Sequence, residues 1–70
     1  MSDETLDDFG KLLREIREQE GMTQEELANA AGLTAMHISH FECGRRLPSL
    51  RNFAALMRVL GDYSESLLHL

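Results

Sequence analysis

Seventy residues, 43% hydrophobic and 27% charged with one proline and no Gly/Ser-rich stretch, are expected to form a single globular domain over 1–70 and exclude a low-complexity chain. One cysteine, Cys43, excludes an internal disulfide; no basic-flanked apolar leader and no run of about 20 apolar residues occurs, so a cytoplasmic protein without a membrane partner is expected. The net charge of −5 argues on its face against nucleic acid, yet between Gly32 and Arg58 the only acid is Glu42, set among Arg45, Arg46, Arg51 and Arg58 with His37 and His40 nearby.

No β pattern appears, and helical periodicity recurs between start and stop residues. The first helix is expected to start near Thr5, capped with Asp8, and to present Phe9, Leu12, Leu13 and Ile16 as one stripe before Gly21. The second opens sharply. Thr23 and Glu26 have capping-box spacing, Met22 and Leu27 have hydrophobic-staple spacing, Leu27, Ala28 and Ala31 point inward, and Gly32 ends the helix. The third repeats the device with a cap at Thr34, the pair Leu33 and Ile38, inward Ile38 and Phe41, and a stop at Gly44. The fourth is expected from Ser49 after Pro48, burying Leu50, Phe53, Ala54 and Met57, with Leu60 near its end and Gly61 as its stop. Tyr63 to Leu70 can add one short helix.

Thr23 to Gly44 is the informative segment. Two short capped helices flank a tight turn at Gly32, with a small Ala28 four residues before it and Ile38 six residues after it. Those are the steric demands of a helix-turn-helix, whose second helix is held out toward a major groove.

The run Leu13-Arg14-Glu15-Ile16-Arg17, then Met22-Thr23-Gln24-Glu25-Glu26-Leu27-Ala28, Ala31-Gly32-Leu33-Thr34, Ile38-Ser39, Phe41-Glu42, Gly44-Arg45-Arg46 and Pro48-Ser49-Leu50 resembles the Cro/phage-repressor-type (XRE-like) helix-turn-helix family over residues 9–61. The resemblance implies an all-α, lambda-repressor-like bundle of four or five helices that binds double-stranded operator DNA, usually as a homodimer. It implies a phosphate contact for Gln24, aided by the free N–H groups of its helix start, and a structural ion pair between Arg17 and Glu42. It further implies phosphate contacts for Arg45 and Arg46 after the recognition helix and for Ser49, Arg51 and Asn52 at the next helix start. The helix over 34–43, opened by Thr34, is the implied reading helix.

Departures bear on mechanism. Family members often read bases with Arg, Gln, Lys or Ser where this chain has Ala35 and Met36, followed one turn later by Ser39 and His40. None offers the bidentate Arg–guanine or Gln–adenine pairing of direct readout. Ala35 and Met36 can pack on thymine methyls, His37 and His40 can meet a base or a phosphate, and affinity is then expected to lean on phosphates and DNA shape. Imidazole titrates near neutrality, so acidification is expected to strengthen binding if His37 or His40 faces DNA and to do nothing if both are simply exposed. Asp62 replaces the apolar residue common after the fourth helix. Tyr63, Leu67, Leu68 and Leu70 in the tail, 62–70, are the candidate dimer contacts.

The same residues admit other readings. His37, His40 and Cys43 lack the further ligands that a zinc site needs, so no metal is expected. No glycine-rich phosphate loop and no Ser/His/Asp arrangement occurs, so neither an enzyme nor a cofactor is expected. The acidic net charge and the missing base-reading residues also fit a protein-interaction module, in which Ala35, Met36 and the surface flanking Ile38 dock a partner. A protein that binds both DNA and a partner joins the two.

Overall fold

A computed structural model describes the chain from residue 3 to residue 61, with side chains from Leu6 onward. The tail helix and the dimer candidates Tyr63, Leu67, Leu68 and Leu70 lie outside the described residues. Among those residues the order is α1 (Asp3–Gln19), α2 (Gln24–Ala31), α3 (Ala35–Glu42) and α4 (Leu50–Val59). No helix among them is long and apolar enough to cross a membrane.

α1 begins at Asp3, which places Thr5 inside the helix rather than at its cap. A threonine followed three residues later by an acid marks a possible cap but does not prevent a helix from starting earlier. Phe9, Leu13 and Ile16 are buried and Leu12 packs beside them, as one stripe requires.

α2 and α3 start as their sequences predict. Thr23 Oγ1 accepts from the Glu26 backbone N–H at 3.0 Å, and Glu26 Oε1 accepts from the Thr23 N–H at 2.8 Å. Gly32 closes α2 at φ 71°, a left-handed conformation that Cβ-bearing residues avoid. The turn satisfies the helix end, because the Leu33 N–H donates to Ala28 O at 2.8 Å and the Gly32 N–H to Asn29 O at 3.3 Å. Thr34 then caps α3, and α3 ends at Glu42 before the left-handed Gly44.

One core holds these elements. Leu27, Ala28 and Ala31 of α2 meet Ile38 and Phe41 of α3, the α1 stripe, and Ala55, Leu56 and Leu60. Phe9 and Phe53 meet edge to face at 6.0 Å and 88°, joining α1 to α4.

The buried face of α4 differs from the expected one. Leu50 and Ala54 are exposed and Met57 is half-buried, while Ala55, Leu56 and Leu60 are buried with Phe53 and Val59 packed beside them. Only Arg51, Asn52 and Arg58 interrupt the apolar run from Leu50 to Leu60, so periodicity alone supports more than one stripe. Phe53 belongs to both stripes, and the observed face is the one that carries Ala55, Leu56 and Leu60 into the common core. Leu60 caps α4 at φ −104°, and Gly61 is not left-handed, so the helix ends without the predicted glycine device.

α1 carries a glycine in mid-helix for a steric reason. A Cβ on Gly10 would lie 2.5 Å from Phe41 O and 2.7 Å from Glu42 O, against the backbone at the end of α3. Gly10 thus lets α1 and α3 approach closely, and their relative placement sets how far α3 stands out.

Candidate nucleic-acid interface

Three helices meet in one polar network. Arg17 of α1 donates through Nε to Glu42 Oε2 at 2.6 Å and through Nη2 to Oε1 at 3.0 Å, a two-pronged bond that matches guanidinium to carboxylate. Its Nη1 donates to Met22 O at 2.8 Å, which ties the chain just before α2. The Arg17 and Glu42 side chains are only 11% and 4% exposed, so a charge left alone there would be costly. The Glu42 hydrogen bond raises the Arg17 pKa above its ordinary value, and this outweighs the opposing effect of burial.

Gln24, the first residue of α2, is half-buried and joins this network. Its Nε2 donates to Glu42 Oε1 at 3.1 Å. An amide nitrogen carries two hydrogens, so one remains for another acceptor. The resemblance pairs Arg17 with Glu42, but nothing in the sequence signals the Gln24 bond across 18 positions.

The first turn of α3 faces solvent. Thr34, Ala35 and Met36 are exposed, Met36 at 66%, while His37, Ser39 and His40 are half-buried. Ile38 is fully buried, and His37 and Ser39 on either side of it are half-buried. The α3 cap has an unpredicted partner. Thr34 Oγ1 accepts from the His37 N–H at 3.2 Å, and His37 Nδ1 accepts from the Thr34 N–H at 3.2 Å. Histidine thus completes a capping box usually completed by Glu or Gln. The signal for it is Thr-x-x-His at the right spacing.

The loop after α3 and the start of α4 hold the remaining candidates. Arg45, Arg46 and Arg51 are exposed, and none is in a salt bridge among the described residues. Ser49 caps α4 by accepting from the Asn52 N–H at 3.2 Å. Asn52 is half-buried beside it. No acid occupies the first turn of α3 or of α4, whereas α2 begins with Glu25 and Glu26. Two helix starts therefore keep their positive ends uncompensated.

A family model described as a helix-turn-helix domain matches residues 8–69. The HTH-type transcriptional regulator PuuR of Escherichia coli (strain K12) is 41% identical over 61 residues, covering 87% of this chain and 32% of PuuR. The chain therefore spans about a third of the length of that curated relative. An uncharacterized HTH-type transcriptional regulator of Methanothermobacter thermautotrophicus is 46% identical over 50 residues, covering 71% of this chain and 72% of that one. Among solved structures, the restriction-modification controller protein C.AhdI from Aeromonas hydrophila is similar with a TM-score of 0.85 and 35% identity, covering 93% of this chain and 94% of that one. The clp gene regulator ClgR from C. glutamicum follows with a TM-score of 0.79 and 30% identity over 91% and 83% of the two chains. Fold, capped helix pair and family match agree, and the chain belongs to the Cro/C1-type helix-turn-helix family of DNA-binding transcriptional regulators.

Proposed function

We propose that the chain is a cytoplasmic repressor that binds a two-fold operator as a homodimer, with the helix over 34–43 in the major groove. The observation that carries this reading is the exposed, acid-free first turn of α3, followed by Arg45, Arg46 and Arg51 without acidic partners among the described residues. Ala35 and Met36 are suited to thymine methyls, Ser39 and His40 lie one turn on, and Gln24, Ser49 and Asn52 are suited to the backbone beside the arginines. Half-sites would lie about one helical turn apart. Tyr63, Leu67, Leu68 and Leu70 are the apolar residues proposed to pair the two copies, and blocking polymerase is the simplest action of such a unit.

Selection from random duplex DNA at low salt tests the reading directly. A palindromic motif supports it, and sedimentation of the protein with that duplex should give two chains per site. Affinity should then fall steeply with salt. Arg45→Ala and Arg46→Ala should each free one phosphate per chain, two per dimer, and reduce the log–log slope by roughly 1.8. A flat salt dependence would remove the phosphate-led mechanism.

A second reading rests on Met36 and Leu50, which are 66% and 86% exposed. Large apolar side chains in water also suit a protein partner. Failure to enrich any motif, with Gln24→Ala and Arg45→Ala leaving weak binding unchanged, would favour that partner over DNA.

A further inference from the structure

The α3 cap fixes the hydrogen-bonding character of His37. A backbone N–H can only donate, so the Thr34 N–H at 3.2 Å requires a lone pair on His37 Nδ1. Thr34 Oγ1 lies 3.1 Å from the same atom, where it can only share that one lone pair. The single proton of the neutral ring then sits on Nε2. Nε2 bonds to no described residue, and no buried side-chain nitrogen or oxygen among the described residues lacks a partner, so Nε2 is open to solvent. The ring is steadied from the other side by Phe41, stacked at 6.2 Å and 16°, which is itself buried.

Beyond the Thr34 hydroxyl, the exposed turn that opens α3 presents Ala35 and Met36, which offer no side-chain donor. We propose that His37 is a DNA-contacting residue whose neutral ring donates Nε2–H to a hydrogen-bond acceptor of the duplex. The proposal rests on α3 being the DNA-reading helix and adds the identity and polarity of one contact. A donor accepts no amino group, so Nε2–H disfavours adenine N6 and cytosine N4 and suits guanine, which shows two acceptors in the major groove. A phosphate oxygen has the same acceptor chemistry. Because the cap assigns the tautomer, the donor is present without a second proton on the ring.

Nitrogen-15 NMR of the His37 ring, free and bound to the selected duplex, tests this. In the free protein Nδ1 should be unprotonated and Nε2 protonated. On binding, the Nε2–H resonance should move together with the α3 backbone amides. Replacing one guanine by 7-deazaguanine, or one phosphate by a methylphosphonate, should then weaken wild-type binding about tenfold and weaken His37→Ala little further. The first substitution identifies a base acceptor and the second a phosphate. Movement of the α3 amides without Nε2–H, or a proton on Nδ1 in the free protein, overturns the proposal while leaving α3 on DNA. No α3 shift with any selected duplex removes the reading helix itself and the proposal with it. The wild-type spectra decide the matter even if His37→Ala does not fold.

Discussion

α2 and α3 are built to the same plan. Each has eight residues, a threonine cap and a reciprocal capping box. They differ in the group that reaches back to the cap, which is the Glu26 carboxylate in α2 and the His37 imidazole in α3. A carboxylate near a helix N-terminus stabilises by about 0.3–1 kcal/mol through the dipole, so α3 forgoes that gain. In exchange its first turn stays free of negative charge, and α3 is the helix proposed to approach a polyanion. The same local hydrogen-bond problem thus has two solutions, one that favours stability and one compatible with phosphate.

The largest expected effect comes from cutting the network that joins the start of α2 to the end of α3. Arg17→Met leaves the nearly buried Glu42 carboxylate with Gln24 alone, and the expected loss is about 3 kcal/mol by urea denaturation. In a domain of this size that is a large part of the total. Unchanged stability would show that the pair is ornamental. The arginine contributes no pH dependence near neutrality. Its pKa is raised on folding, so its contribution is complete below the already high unfolded value and is lost only at still higher pH.

Gly10→Ala comes next and acts on α3 without touching α2. Helix propensity alone predicts a gain of about 1 kcal/mol. The added methyl meets the Phe41 and Glu42 carbonyls, which are backbone and cannot swing aside, so a net loss of about 2 kcal/mol is expected. A rise in melting temperature would mean that α1 and α3 separate freely.

Gly10 also marks where sequence reasoning stops. Read locally it only weakens α1, because its purpose lies in backbone more than 30 positions away. The helix pair is legible for the opposite reason. Capping boxes, Gly32 and the inward Leu27, Ala28, Ile38 and Phe41 are short-range features whose chemistry is complete within a few residues. The α4 face lies between these cases, since its composition allows several stripes and only the packing of Ala55, Leu56 and Leu60 into the core shared with α1, α2 and α3 distinguishes them. His37 is legible in position but not in role. Its residue type suggests a contact to a base or a phosphate, whereas the cap gives it an acceptor at Nδ1 and a donor at Nε2.

Removing the threonine oxygens compares the two boxes at their shared part. Thr23→Ala and Thr34→Ala should each cost about 1 kcal/mol, because each leaves one N–H without its acceptor. A Thr34→Ala loss far below that of Thr23→Ala would mean that the histidine box contributes little.

Exchanging the reciprocal acceptors gives the smallest stability change and the sharpest comparison. His37→Glu retains an acceptor for the Thr34 N–H and adds a favourable charge at the helix start, so it should stabilise by about 0.5 kcal/mol, less whatever the stacking on Phe41 contributed. Glu26→His should destabilise by a similar amount. DNA affinity should not follow stability. His37→Glu puts a carboxylate where the duplex is proposed to lie and removes the Nε2 donor, so it should bind more weakly although it melts higher. Glu26→His should bind at least as well as wild type although it melts lower. Calorimetric melting and duplex titration of the same four proteins (wild type, both single variants and the double exchange) separate the two quantities. If affinity and melting temperature rise and fall together, the difference between the caps is a matter of stability alone and α3 does not meet phosphate at its first turn.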